Sequence, residues 1–169
     1  NREKFAAWRA RVGNEEANRK SKKGTTRGTR FHLVNEYYIK NENYKELKEW
    51  DIPLIQMMFQ SNKSFLDKSI NNIYYQEQRM YSDKLCLAGT VDLVCEYNGD
   101  LAIVDFKTSE KEKPEEWLED YFVQLSAYWA MFSERTGVAP KKLVVWLVAE
   151  DGSVQIVERT NIMHYLKTL

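Results

Sequence analysis

Two runs of alternating apolar residues, 84–97 and 100–107, enclose nothing but Asn98-Gly99. No other feature constrains the fold of this chain so tightly. Asn-Gly between such runs selects a two-residue hairpin turn, because both turn positions need positive φ. Tyr97 then faces Asp100, and the pairing propagates residue by residue. Asp92 falls opposite Asp105, and Lys107 follows two residues later on the same sheet face. The other face pairs Val91 with Phe106, Leu93 with Val104 and Cys95 with Ala102, all apolar. One face is thus expected to pack as core, while the other gathers two carboxylates and an ammonium. Val94 and Ile103 share the carboxylate face, which argues against its full exposure.

Like charges placed directly across a sheet repel. Two close carboxylates either share a proton or recruit a cation. A hard divalent ion such as Mg2+ or Mn2+ suits oxygen ligands. Lys107 beside it is suited to orient a water or to offset charge growing on a phosphate. The same register equally allows two exposed acids, with Lys107 simply paired to one of them.

The surrounding chain reads as helices, three strands, a helix, two strands and a helix, an α/β domain with a mixed sheet of about five strands. A helix is predicted over 3–20, a flexible polar break over 20–28 ("KSKKGTTRG") and a second helix from about Arg27 to Lys40. A third begins near Tyr44 and is interrupted by Pro53. The first strand is predicted over 73–81, with a turn at Ser82-Asp83 that would set Glu77 facing Ala88, on the Asp92 side. After an acidic loop, Pro114 is expected to open a helix reaching about Thr136. Its stripe of Trp117, Tyr121, Leu125, Tyr128 and Phe132 reads as core, with Gln124 beside it. Strands 142–150 and 153–159 form a hairpin around Asp151-Gly152. No repeat or long linker is visible, so a single domain is expected over 1–169, with a helical part (1–72) and an α/β part (73–169).

Composition narrows the function classes. The 25 basic and 25 acidic residues cancel. Residues 1–30 nevertheless hold ten Lys/Arg against Glu3, Glu15 and Glu16, a local +7. Such an arm grips phosphates as readily as it forms a solvated helix face. No apolar stretch approaches the ~20 residues of a spanning helix, and no membrane association is expected. Cys86 and Cys95 are the only cysteines, too few for a four-cysteine zinc site or a cysteine-ligated cluster. Phosphate-loop, dinucleotide, nucleophile-elbow and H-E-x-x-H signatures are absent.

Taken in order, "RGTRFH", "QEQRMYS", "GTVDLV", "LAIVDFKTSEKEKP" and "YFVQLSAYWAMF" resemble the PD-(D/E)XK nuclease superfamily. The resemblance is to its RecB-like branch and the mitochondrial genome maintenance exonuclease type with its phage relatives. It spans roughly residues 27–132, and the ordered set of motifs is far more specific than D-x-K alone. It implies a restriction-endonuclease-like core. It also implies that Asp92 and Asp105 bind metal, with His32 as an extra ligand and the Phe106 carbonyl completing the set. Lys107 is the implied catalytic lysine. Glu77 is an acid on the first core strand, and Gln124 and Tyr128 belong to the motif that supports the site. Thr108 and Ser109 follow D-x-K, and Lys22, Lys23, Arg27 and Arg30 are expected to bind substrate. Trp8 and Tyr37 or Tyr38 are candidate stacking platforms, although helix packing suits Trp8 better.

The expected activity is that of a Mg2+- or Mn2+-dependent DNA exonuclease using one or two ions and preferring single strands with a free end. A structure-specific endonuclease on the same core, or a non-cleaving DNA-binding module, is the alternative. Several RecB-like relatives hold an iron–sulfur cluster through four cysteines. This chain lacks them and should resemble the cluster-free subgroup. Implied partners are DNA and a replication or recombination complex, with the protein a monomer. The expected compartment is the cytoplasm of a bacterial or phage-infected cell, with a mitochondrion second.

Overall fold

The computed structural model describes residues 2–169. Its five strands are β1 (Ile70–Ser82), β2 (Leu87–Tyr97), β3 (Asp100–Ser109), β4 (Lys142–Ala149) and β5 (Val154–Arg159). They form one sheet in that order, with β3 and β4 parallel and the other neighbours antiparallel. The helices are α1 (Arg2–Val12), α2 (Asn14–Ile39), α3 (Pro53–Ser69), α4 (Glu119–Thr136) and α5 (Ile162–Leu166). This is the mixed, helix-flanked sheet that the alternation predicted. On one face α2 and α3 pack Phe31, Ile55 and Phe59 against Leu93, Val104 and Trp146. On the other, α4 packs Phe122, Leu125 and Met131 against Val94, Ile103 and Val145. The central strands are covered on both sides, which is why 143–149 reads as a continuous apolar run.

The N-terminal helices depart from expectation. The chain breaks at Gly13, with φ +85°, and α2 then runs unbroken through the segment predicted to be flexible. Tertiary ties hold this segment helical. Lys23 and Arg27 reach Glu150, just beyond β4, at 3.1 and 2.6 Å. Arg27 Nε also donates to Thr108 Oγ1 at 3.2 Å. Ties of this kind outweigh the helix cost of a glycine, about 1 kcal/mol. Two short 3₁₀ turns, Tyr44–Glu46 and Lys48–Asp51, stand where a third helix was predicted. Pro53 opens α3 rather than interrupting it, since its missing N–H costs nothing in the first turn. Pro114 likewise precedes a 3₁₀ turn, Glu115–Trp117, and α4 begins only at Glu119.

The Asn98-Gly99 register is as derived: Tyr97 pairs with Asp100, and the ladder continues to Leu93 with Val104. The turn before β2 is not. Residues 83–86 form the connection, Ser82 pairs with Leu87, and Tyr81 rather than Glu77 faces Ala88. Glu134 of α4 explains the longer loop, because its carboxylate accepts from both the Ser82 hydroxyl and the Asp83 N–H. The shifted register sets Glu77 across from Asp92, between the pairs Gln76–Leu93 and Gln78–Val91.

At that level the alternation inverts in both strands. Tyr75 and Met80 both pack on the α4 side, as do Val94 and Val91. Strict period two would separate the members of each pair. Glu77 has φ +48°, a left-handed conformation that re-aims the strand. Val91, expected to share a face with Leu93, therefore lies in the opposite core.

Candidate active site

The β2–β3 ladder ends at Leu93 and Val104. Beyond it a side chain replaces the backbone partner: Asp92 Oδ2 accepts the Phe106 N–H at 2.8 Å. The N–H and C=O of one strand residue face the same neighbour, so the Phe106 carbonyl faces this gap too. His32 comes from α2, with Nδ1 3.8 Å from Asp92 Oδ2 and its ring edge-on to Phe106. Glu77 enters from β1. Ligand atoms of His32, Glu77 and Asp92 lie within 4.8 Å of one another. The end of the ladder thus lets groups from the α2 face and the α4 face meet.

Asp105 and Lys107 supply the second half. Asp105 is 3% exposed. Its Oδ2 lies 2.6 Å from Lys107 Nζ in an ion pair but accepts no well-directed hydrogen bond. Lys107 Nζ also donates to Gln124 Oε1 at 3.3 Å, and Gln124 Nε2 donates to the Tyr128 hydroxyl at 2.9 Å. Tyr128 packs over Gly89, where a Cβ would come within 2.8 Å of its ring. Asp92, Asp105, Lys107, Gln124, Tyr128 and His32 all line one cleft of about 820 Å³.

Burial and neighbouring carboxylates raise two acids of the site. Burial, then the Asp92 charge, raises the Asp105 carboxyl to about 6, with Lys107 and His32 opposing. Burial, then the charges of Asp92 and Glu36, raises Glu77 to about 7. Burial depresses the Lys107 ammonium, but the Asp105 and Asp92 charges outweigh it, and its pKa ends above the ordinary lysine value. The cluster of His32, Glu77 and Asp92 ligand atoms, with the buried Asp105 beside Asp92 carrying one oxygen that lacks a directed hydrogen bond, fits a hard divalent cation.

The predicted substrate contacts divide. Arg27 and Thr108 line the cleft. Lys22, Lys23 and Arg30 line a different groove, between α2 and the start of α3. Lys23 is paired to Glu150. Ser109 is buried, and its hydroxyl donates to the Lys111 carbonyl. Tyr37 and Tyr38 do not line the cleft; Tyr38 packs against Tyr44 and Phe59. The sequence reading missed Tyr121, taken as core, and Lys113, hidden in a charged loop; both line the cleft. Only the glycine of "GTVDLV" hinted at the close approach of Tyr128.

Comparison with known proteins bears on this geometry. A family model described as the PD-(D/E)XK nuclease superfamily matches residues 4–164. The human protein named mitochondrial genome maintenance exonuclease 1 is 32% identical over 87 residues, which are 52% of this chain and 25% of that protein. The matched segment thus spans a quarter of that relative. A crystal structure of a candidate exonuclease from Eubacterium rectale superposes with a TM-score of 0.55 at 12% identity, covering 84% of this chain and 61% of that one. At that identity the likeness is one of fold.

Proposed function

Because this chain belongs to the PD-(D/E)XK nuclease superfamily, we propose that it is a metal-dependent DNA exonuclease that hydrolyses phosphodiester bonds in single strands with a free end. One observation carries this reading: Asp92, Asp105 and Lys107 line a single cleft with His32 and Gln124. On this reading residues 1–169 act as one nuclease domain and as a monomer, with the helical part over 1–72 and the catalytic part over 73–169.

His32, Asp92, Asp105 and the Phe106 carbonyl would hold one or two Mg2+ or Mn2+ ions, with Glu77 alongside. When bound, such an ion supplies Lewis acidity toward phosphate oxygens and acidifies water. The chain's own residues do the rest. Lys107 carries three donors. Gln124 engages one of them and the Asp105 carboxylate attracts the ammonium, which stations the lysine to orient the attacking water or offset growing charge on a phosphate. Gln124, tied to Tyr128, keeps the lysine in place. Arg27 and Thr108 sit at the cleft wall to meet a neighbouring phosphate.

The human relative's name supports exonuclease over other nuclease activity, and a mitochondrion as the second compartment after a bacterial or phage-infected cytoplasm. Among the described residues no helix is long and apolar enough to cross a membrane. The deciding test compares linear and covalently closed circular single-stranded DNA of one sequence with Mg2+, Mn2+ or chelator, with Asp105→Asn and Lys107→Ala alongside. Metal-dependent loss of the linear form alone, abolished by both substitutions, is expected. Cutting of the circle by wild type would make the protein an endonuclease. Binding without cleavage under either metal would make it a DNA-binding module.

A further inference from the structure

A second groove of about 380 Å³ leads away from the candidate site. It shares Gly24, Arg27, Thr108 and Lys113 with the cleft, so the two are continuous. Trp8 and Trp117 line it, and its charged side chains are Lys20, Arg27, Lys111 and Lys113 against Glu110 and Glu112. Trp117 was expected in the core stripe of α4. It stands instead on the 3₁₀ turn before that helix and is 65% exposed, the most exposed large apolar side chain among the described residues. One exposed aromatic means little by itself. An exposed indole in a groove where cations outnumber carboxylates, and which opens into the candidate site, is a different matter.

Lys113 stands at the junction. The Gln155 side chain, from β5, clamps its backbone from both sides. The Lys113 N–H donates to Gln155 Oε1 at 3.0 Å, and Gln155 Nε2 donates to the Lys113 carbonyl at 2.8 Å. Lys113 Nζ donates to the Tyr121 hydroxyl at 3.1 Å and lies 5.3 Å from that ring's centre. Lys107 Nζ lies 5.0 Å from the same ring centre. Among the described residues no carboxylate pairs with Lys113, whereas Lys23, Arg27 and Lys107 are all paired. A backbone-clamped, unpaired ammonium beside the cleft is placed to take a phosphate.

We infer that this groove is the track of the unpaired substrate strand, with Lys113 on the phosphate next to the scissile one and Trp117 stacked on a base beyond it. The inference rests on the nuclease reading and names its substrate conformation. A duplex hides its base faces and offers Trp117 nothing to stack on, whereas every unpaired base presents one. The groove's cations follow the backbone that such a strand carries.

Fluorescence anisotropy of an end-labelled oligothymidylate, in chelator so that no cleavage occurs, tests this over a salt series. Trp117→Ala should weaken binding about tenfold but leave an abasic oligonucleotide of equal length unchanged. Lys113→Met should weaken both and lower the salt slope by about one phosphate contact. Circular dichroism melts should match wild type, since Trp117 is exposed and the Lys113 clamp is through its backbone. Equal affinity of wild type and both variants overturns the track while leaving a DNA-degrading enzyme intact. An equal loss on intact and abasic strands with Trp117→Ala overturns stacking. Trp117-dependent binding by a protein that cleaves no DNA would keep the track and overturn the nuclease reading.

Discussion

Asp92 Oδ2 accepts the Phe106 N–H at 2.8 Å, just past the last β2–β3 pair, Leu93 with Val104. A carboxylate thereby closes the sheet where the backbone does not. It keeps one acid at the gap and directs the Phe106 carbonyl into the same space.

This double duty separates two substitutions. Asp92→Asn keeps an acceptor for Phe106 and loses the charge. Asp92→Ala leaves the N–H without its partner, a loss of about 1–3 kcal/mol. Both should abolish metal-dependent cleavage, while only Asp92→Ala lowers the melting temperature of the metal-free protein. Equal melting of the two variants would mean that the tie contributes nothing to stability.

The raised acids set a pH dependence of known sign. Asp105 rises from 3.8 to about 6 and Glu77 from 4.5 to about 7. Both groups favour the folded state as neutral acids. Their contribution is full below about pH 4 and is lost as pH rises through about 6 to 7. Metal-free protein should therefore melt lower at about pH 7.5 than at about pH 5. Mn2+ should raise the melting temperature more at the higher pH, where its ligands are already deprotonated. Calorimetry with chelator or Mn2+ checks this. A profile unaltered in the Glu77→Gln, Asp105→Asn double variant would refute the assignment.

Lys107 faces the nearly buried Asp105 at 2.6 Å. Lys107→Met leaves that carboxylate uncompensated, and because its carboxyl already sits at about 6 it protonates instead, which limits the loss near neutral pH to about 1–2 kcal/mol. Adding Asp105→Asn should restore much of the lost stability. Turnover should fall about 10²–10³-fold with Lys107→Met alone and should not recover in the double variant. Urea melts and a nuclease assay on the four proteins of the cycle supply both readouts.

Gly89 and Tyr128 couple the sheet to the helix that carries Gln124. A Cβ on residue 89 would stand 2.8 Å from the Tyr128 ring. Gly89→Ala should cost about 1–3 kcal/mol by overpacking. It should also slow cleavage by displacing the Tyr128 hydroxyl from Gln124. Adding Tyr128→Leu should recover stability without recovering activity. Additive melting effects would show that the two residues do not touch in solution.

Much of this architecture is legible in the chain. Asn98-Gly99 determines the β2–β3 register from Tyr97–Asp100 to Leu93–Val104, and the period of two by itself puts Asp105 and Lys107 on one face of β3. The apolar run of 143–149 marks a strand covered on both faces. The ordered motifs point to the family, and so to His32 and Gln124, neither of which spacing alone singles out. The turn after Ser82 is not legible locally, because its length depends on Glu134, 51 residues beyond Asp83. The helix through 20–28 is not legible locally either, because Glu150 and Thr108 tie those residues down from across the fold.

Local chemistry therefore determined which residues alternate, which turn joins them, and which acids share a strand face with a lysine. Those are short-range consequences of backbone geometry. Only the tertiary structure decided where the alternation fails. Glu77 adopts φ +48°, the β2–β3 ladder stops at Leu93, and His32 from one helical layer meets the carboxylates that face the other. No periodic pattern encodes such an inversion. It exists because packing from α2 on one side and α4 on the other holds two strands in a conformation that neither would keep alone.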